Sequence, residues 1–285
     1  MMNKRRVFLG SKLFGLSMLN AAVSSDPGSN WLILIPNDSS DPRSNSSQFR
    51  DFASQIDAEI SVVQSGGEAT GHIEKFKPES GLVCGWYEKI TPEALQMKNG
   101  LWGIHNSLLP KYRGGSPLVW ALINGETKVG SSIFLLTDEL DAGAIAGQVS
   151  TRVKGSDSIE TILKRLQVEM GTLVGELWPK LANGERVQLT KQDSASASQF
   201  RSRTDRDGLI DWRWSSTKIE NFVRAQTRPY PGAYCHIGNR KIRIFDLRFE
   251  EASESRQPGR VEETPEGIYR VLTGDGKWAL ITDFL

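Results

Sequence analysis

The chain has 285 residues, 38% hydrophobic and 24% charged, which is long for one ordinary domain and suits a globular protein with a core of its own. With 35 Lys and Arg against 34 Asp and Glu, the net charge of +1 excludes an overall basic field that would gather nucleic acid. Cys84 and Cys235 lie far apart and indicate neither a disulfide framework nor a zinc site, and no apolar run reaches the roughly 18 residues that span a bilayer.

Near the start, Asn3-Lys4-Arg5-Arg6-Val7-Phe8-Leu9-Gly10 looks like a twin-arginine export signal. Lys12 breaks the apolar run behind it and no Ala-x-Ala site follows. The segment therefore reads as a strand from Arg6 to Leu9, a Gly-Ser-Lys turn, and a helix from about Phe14 to Val23. A reducing, cytoplasmic setting is expected. Trp31 to Ile35 is a continuous apolar run ended by Pro36, the pattern of a strand buried on both faces. A helix follows from Gln48 to Ile56, a strand from Glu59 to Val63, a helix from Gly71 to Phe76 and a strand from Gly81 to Cys84. Thr91 as N-cap with Pro92 at the first helical position starts another helix, and Leu101 to His105 is a short strand. This alternation argues for an α/β fold with a Rossmann-like, mostly parallel, doubly wound sheet.

Pro117 to Ile123 reads as helix, and Gly130 to Thr137 and Ala144 to Val153 as strands. Ser158 to Leu181 is a long amphipathic helix capped by Asp157 or Ser158, with Val168 counted among its apolar residues. Residues 190–202 have the composition of a linker. Beyond them come a helix from Ser216 to Arg224 and five short strands: Gly232 to Ile237, Lys241 to Phe249, Gly259 to Glu262, Gly267 to Leu272 and Trp278 to Ile281. The expected division is a catalytic domain over 1–189, a linker over 190–202, and a small β-rich, OB-like domain over 203–285.

The chemistry concentrates in Gly103-Ile104-His105-Asn106-Ser107-Leu108-Leu109-Pro110-Lys111-Tyr112-Arg113-Gly114-Gly115, followed by Leu140-Asp141-Ala142-Gly143. His105 stands where a strand ends, the edge at which open α/β sheets build their sites. An imidazole there can act as acid, base or electrostatic donor, and Asp141 can orient it. The alternative is a loop histidine and a turn aspartate. Lys111 and Arg113 face an anion or simply solvent. Trp86 and Tyr87, after a buried strand, either wall a flat heteroaromatic ligand or pack against a helix. Gly10-Ser11-Lys12 makes a tight turn unlike a dinucleotide fingerprint, so NAD is disfavoured. His72 and His236 read as structural.

These motifs resemble the formyltetrahydrofolate-dependent formyltransferases. Ser107-Leu108-Leu109-Pro110-Lys111-Tyr112-Arg113-Gly114 and Thr137-Asp138-Glu139-Leu140-Asp141-Ala142-Gly143 look like the family's two most specific motifs. Asp207-Gly208-Leu209-Ile210-Asp211-Trp212 and Pro229-Tyr230-Pro231-Gly232-Ala233 look like the C-terminal domain of its tRNA and amino-sugar members. The resemblance implies transfer of a formyl group from the co-substrate N10-formyltetrahydrofolate to a primary amine, with His105 and Asp141 catalytic and no metal required. It implies contact with folate at Trp86, Tyr87, Ile90, Leu136, Thr137 and Leu140. Gly10, Ser11, Ser107, Lys111, Arg113 and Gly114 are expected to face the acceptor. The acceptor is expected to be a small molecule, a nucleotide-linked amino sugar, with initiator tRNA second; a membrane partner is not expected, and a homodimer is admitted. One position departs from the pattern: the family's catalytic asparagine, two before the histidine, is Gly103 here. The missing donor is then supplied by Asn106, by a backbone N–H or by substrate, or else the chain is a formyl-folate hydrolase or a non-catalytic folate binder.

Overall fold

Stretches that are apolar on both sides become strands covered on both faces, and stretches with a 3.6-residue period become the helices that cover them. The computed structural model describes residues 4–252, 257–265 and 267–285; Asn3, in the twin-arginine-like run, lies outside them. In chain order the elements are β1 (Arg5–Gly10), α1 (Lys12–Ser25), β2 (Asn30–Pro36), α2 (Ser46–Gln55), β3 (Glu59–Val63), α3 (Gly66–Phe76), β4 (Ser80–Cys84), β5 (Leu101–His105), β6 (Arg113–Gly114), α4 (Pro117–Ile123), β7 (Lys128–Leu135), β8 (Ile145–Arg152) and α5 (Ile159–Ala182). After these come β9 (Gln199–Phe200), α6 (Ser216–Arg224), β10 (Ala233–Ile237), β11 (Arg240–Glu251), β12 (Val261–Glu263), β13 (Tyr269–Leu272) and β14 (Lys277–Phe284).

The chain divides into two compact units. One comprises residues 1–114, 130–151 and 163–199, the other 115–129, 152–162 and 200–285. Residues 115–129 and 152–162 thus group with the C-terminal part of the chain.

In the first unit the sheet order is β3-β2-β1-β4-β5-β7-β8. The strands from β3 to β5 are parallel, and β7 runs antiparallel to β5, pairing His105 with Ser132. Strand order reverses between β1 and β4, so the carboxyl ends of these strands open the crevice where ligands of α/β folds gather. The sheet presents Val7, Leu9, Leu32, Leu34, Val83 and Leu101 to Ala69 and Ile73 of α3. Gly10 is dictated by that topology, because a Cβ there would lie 2.0 Å from the Cys84 carbonyl oxygen. The second unit carries an antiparallel five-stranded, OB-like sheet of order β10-β11-β14-β13-β12. Its core joins Ile219, Phe222 and Val223 of α6 to Ile242, Ile244, Val271 and Ile281. No helix among the described residues is long and apolar enough to cross a membrane.

Three local expectations fail for physical reasons. Thr91 to Leu95 forms hydrogen-bonded turns and no helix; the Thr91 hydroxyl meets Thr70 Oγ1 at 2.9 Å, and the chain must enter β5 at Leu101. Val168 is 71% exposed because Ile162, Leu166, Met170 and Val174, at i+4 spacing, make the buried stripe of α5 and leave it on the opposite side. Residues 190–202 hold β9, a bridge from Thr190 to Ile145 and the buried Gln192, so polar composition here does not mean a loose connector. Of the two caps considered for α5, Ser158 makes it: its Oγ accepts from Thr161 N–H at 3.3 Å, and Thr161 Oγ1 accepts from Ser158 N–H at 3.0 Å.

Candidate functional site

β1, β4 and β5 end side by side at Gly10, Cys84 and His105. The His105 ring is hydrogen-bonded at Nε2 and faces Asp141 with Nδ1. A carbonyl only accepts, so Nε2–H donates to Tyr112 O at 2.7 Å, while Nδ1 lies 3.6 Å from Asp141 Oδ2. The two side chains are 11% and 13% exposed. The Gly114 N–H donates to the same Asp141 Oδ2 at 2.7 Å. Tyr112 and Asp141 have φ of +60° and +52°, a left-handed conformation that a non-glycine residue keeps only where its surroundings impose it.

The loop between them is pinned from several sides. Ser107 Oγ donates to Lys111 O at 2.7 Å, and Ser107 O accepts from Ser132 Oγ at 2.6 Å. Leu109 is buried, and its N–H donates to Ser132 Oγ at 3.2 Å. Ser107 therefore spends its hydroxyl on the loop itself. Lys111 is exposed. Arg113 faces neither solvent nor an open anion site: it is 7% exposed, and its Nε and Nη2 donate to Gln192 Oε1 at 3.1 and 2.9 Å. Its Nη1 reaches Glu139 Oε1 at 3.2 Å.

Gly103 is crowded: a Cβ would lie 2.9 Å from both Leu136 Cδ2 and Phe134 Cε1, so these apolar side chains must shift to admit an asparagine. Asn106 turns to Ser131, whose hydroxyl donates to Asn106 Oδ1 at 3.0 Å and to His105 O at 3.2 Å. This agrees with the opposite pointing of neighbours on an extended chain.

Trp86, Ile90 and Leu136 each pack against the same core cluster. Trp86 and Ile90 line, with Ala69, Thr70 and Ile73 of α3, an apolar crevice narrower than a water molecule. The Trp86 Nε1 is buried without a hydrogen-bond partner. Tyr87 and Leu140 are 58% and 57% exposed, and Thr137 is exposed, with its hydroxyl donating to Glu139 O at 3.2 Å. Gly10 is buried, and Ser11 Oγ bridges to Gly85 O at 3.1 Å across the reversal of strand order.

Beside that bridge, Lys12 Nζ sits between Asp38 at 2.5 Å and Asp41 at 2.9 Å, 5.4 Å from the Tyr87 ring centre. Burial opposes the Lys12 charge, but hydrogen bonds to the two carboxylates outweigh it and raise its pKa. Burial likewise opposes ionisation of Asp38 and Asp41; bonds from Lys12, and from Arg43 to Asp41, hold both below the usual carboxylate range. Burial pushes the Cys84 thiol up to about 12, so it is no nucleophile near neutrality. No group of three or more His, Cys, Asp or Glu that could hold a metal ion occurs among the described residues.

Three parts of this arrangement escape sequence reasoning: the Tyr112 carbonyl, Gln192 and Phe134. Backbone acceptors carry no residue signal, Gln192 is hidden in a polar stretch, and Phe134 reads as ordinary strand core.

The formyl transferase model matches residues 8–174, and the formyl transferase C-terminal domain model matches 203–284. Among solved structures, the sugar 3N-formyl transferase WlaRD, in the presence of dTDP and 5-N-formyl-THF, is similar at 18% identity and a TM-score of 0.70, over 98% of this chain and 97% of that one. An N-formyltransferase from Helicobacter canadensis, in complex with folinic acid and dTDP-3-aminofucose, gives 16% identity and a TM-score of 0.73 over 98% and 99%. Methionyl-tRNA formyltransferase from Clostridium thermocellum gives 18% and 0.60 over 86% and 93%. Identities this low carry the fold, whereas the first family model alone matches more than half of the chain: it belongs to the formyl transferase family.

Proposed function

We propose that the protein transfers a formyl group from N10-formyltetrahydrofolate to a primary amine of a nucleotide-linked amino sugar. The observation that carries this reading is the His105–Asp141 pair at the carboxyl end of β5, with Asp141 anchored on the Gly114 N–H. The folate- and dTDP-bound formyltransferases that share the fold support the choice of donor and acceptor. Trp86, Ile90 and Leu136 suit a flat heteroaromatic ring, offering apolar walls and an indole N–H without a partner. The crevice beside Trp86 and Ile90 is narrower than water, so the side chains lining it must part to admit the ring.

The donor supplies a formyl carbon open to attack by the neutral amine. His105 lowers the barrier by hydrogen-bonding the formyl oxygen as negative charge develops there; the new carbon–nitrogen bond to the amine forms, the bond to the folate nitrogen breaks, and that nitrogen leaves with the proton the amine gives up. For this, Nε2–H exchanges Tyr112 O for the substrate oxygen, while Asp141 stands on the Nδ1 side of the ring. Exposed Lys111 is available to an anionic acceptor, whereas buried Arg113 shapes the loop.

Gly103 favours a second reading, a folate binder or formyl-folate hydrolase, because Phe134 and Leu136 occupy the room of the family's amide donor. A tRNA acceptor draws little support from the second unit. Its Arg201, Arg213, Arg228, Lys241, Arg243 and Arg270 each sit on a carboxylate, which makes these cations less available to phosphates. Incubation with formyl-folate and a panel of nucleotide amino sugars separates these readings. Amine-dependent release of tetrahydrofolate supports transfer; release without amine means hydrolysis; tight binding without release means a binder.

A further inference from the structure

Asp141 is held by more than its own loop. Gln192 is 6% exposed, and its amide is used at both ends. Oε1 accepts from Arg113 Nε at 3.1 Å and Nη2 at 2.9 Å, while Nε2 donates to Asp141 O and Gly143 O, both at 2.8 Å. Arg113 closes the ring through Glu139, and its neighbour Gly114 holds the Asp141 carboxylate. One amide thus ties the left-handed Asp141 backbone to the segment that binds its side chain. Glutamine suits this place. A carboxylate could take the Arg113 bonds but could not donate to two carbonyls, and a lysine could donate but not accept.

We infer that Gln192 is a positioning residue that sets the Asp141 carboxylate against His105, an inference that rests on the transfer reaction proposed above. A neutral amide does this without bringing a second negative charge to Asp141. Positions held this way matter to rate, because misplacing a catalytic group by about 1 Å can cost roughly 10²-fold.

The test uses the full chain and the ring cross-peaks of its three histidines in proton–carbon NMR, assigned with His105→Ala. Asp141→Asn moves the His105 peaks. Gln192→Met, similar in volume but without the amide's donors and acceptor, moves them in the same direction and lowers kcat of transfer roughly 10- to 100-fold, with KM for the amine little changed. In the Asp141→Asn background the same substitution adds nothing further to either readout. Unmoved His105 peaks in Gln192→Met, or an equal extra loss in both backgrounds, would overturn the inference and leave Gln192 a purely structural residue. If Gln192→Met does not fold, Gln192→Glu keeps an acceptor for Arg113 and loses both donors. It too must move the His105 peaks only while Asp141 is present, and the inference fails otherwise. A wild-type protein that transfers no formyl group to any amine sinks the reaction, yet the NMR comparison still decides the role of Gln192.

Discussion

Two buried arginines in the same unit, Arg6 and Arg113, are satisfied in opposite ways. Arg6 is fully buried at the start of β1 and meets Asp26 at 2.8 Å, Glu79 at 3.0 Å and the Asn183 amide oxygen at 2.9 Å. Two carboxylates and an amide, on or beside regular elements, make a closed structural network. Among carboxylates Arg113 reaches the exposed Glu139, and it is otherwise satisfied by the neutral amide of Gln192. That amide places Asp141 without spending its carboxylate on a cation, so the carboxylate remains for His105.

The comparison is broken first at Arg6. Arg6→Met leaves Asp26 buried without its main partner and should cost about 3–5 kcal/mol in denaturant unfolding, with transfer unchanged wherever the variant is folded. Asp141→Asn should do the reverse. An asparagine oxygen still accepts from Gly114 N–H, so melting changes little, while transfer falls roughly 10²-fold. Gly103→Asn must force Phe134 and Leu136 aside. It should lose about 1–3 kcal/mol by overpacking and gain no rate, and a faster variant would show that room for the amide exists. Ser158→Ala, which removes the α5 cap, should cost about 1 kcal/mol of stability and leave transfer alone.

The smallest effect is a pH dependence at Lys12. Depressed carboxylates contribute stability above their ordinary value of 3.8 and lose it as pH falls through their folded values. A raised lysine contributes below 10.5 and loses it as pH climbs through the folded value. Lys12→Met should therefore melt lower than wild type between those limits, and the two curves should converge in strong acid and strong base. Curves that stay parallel across the whole range would show that the cluster does not titrate with folding.

Much of this architecture is legible in the chain. Glu59–Val63, Leu101–His105, Pro117–Ile123 and Ser216–Arg224 have the bounds their apolar periods and turn residues imply. His105 and Asp141, separated by two strands and a helix in sequence, do meet. Periodicity could not show that the Thr91 hydroxyl bonds to Thr70 and caps no helix, nor that Arg113 points inward. Those outcomes depend on partners distant in sequence. Gln192 is the clearest case: its neighbours have a linker's composition, and only the folded chain brings its amide to Asp141 and Arg113.

The most direct measurement of the central claim is amine-dependent release of tetrahydrofolate from formyl-folate by the wild-type protein and by His105→Ala. The expected result is release that requires the amine and falls by at least roughly 10²-fold in the variant. Equal release by both proteins would contradict a reaction centred on His105.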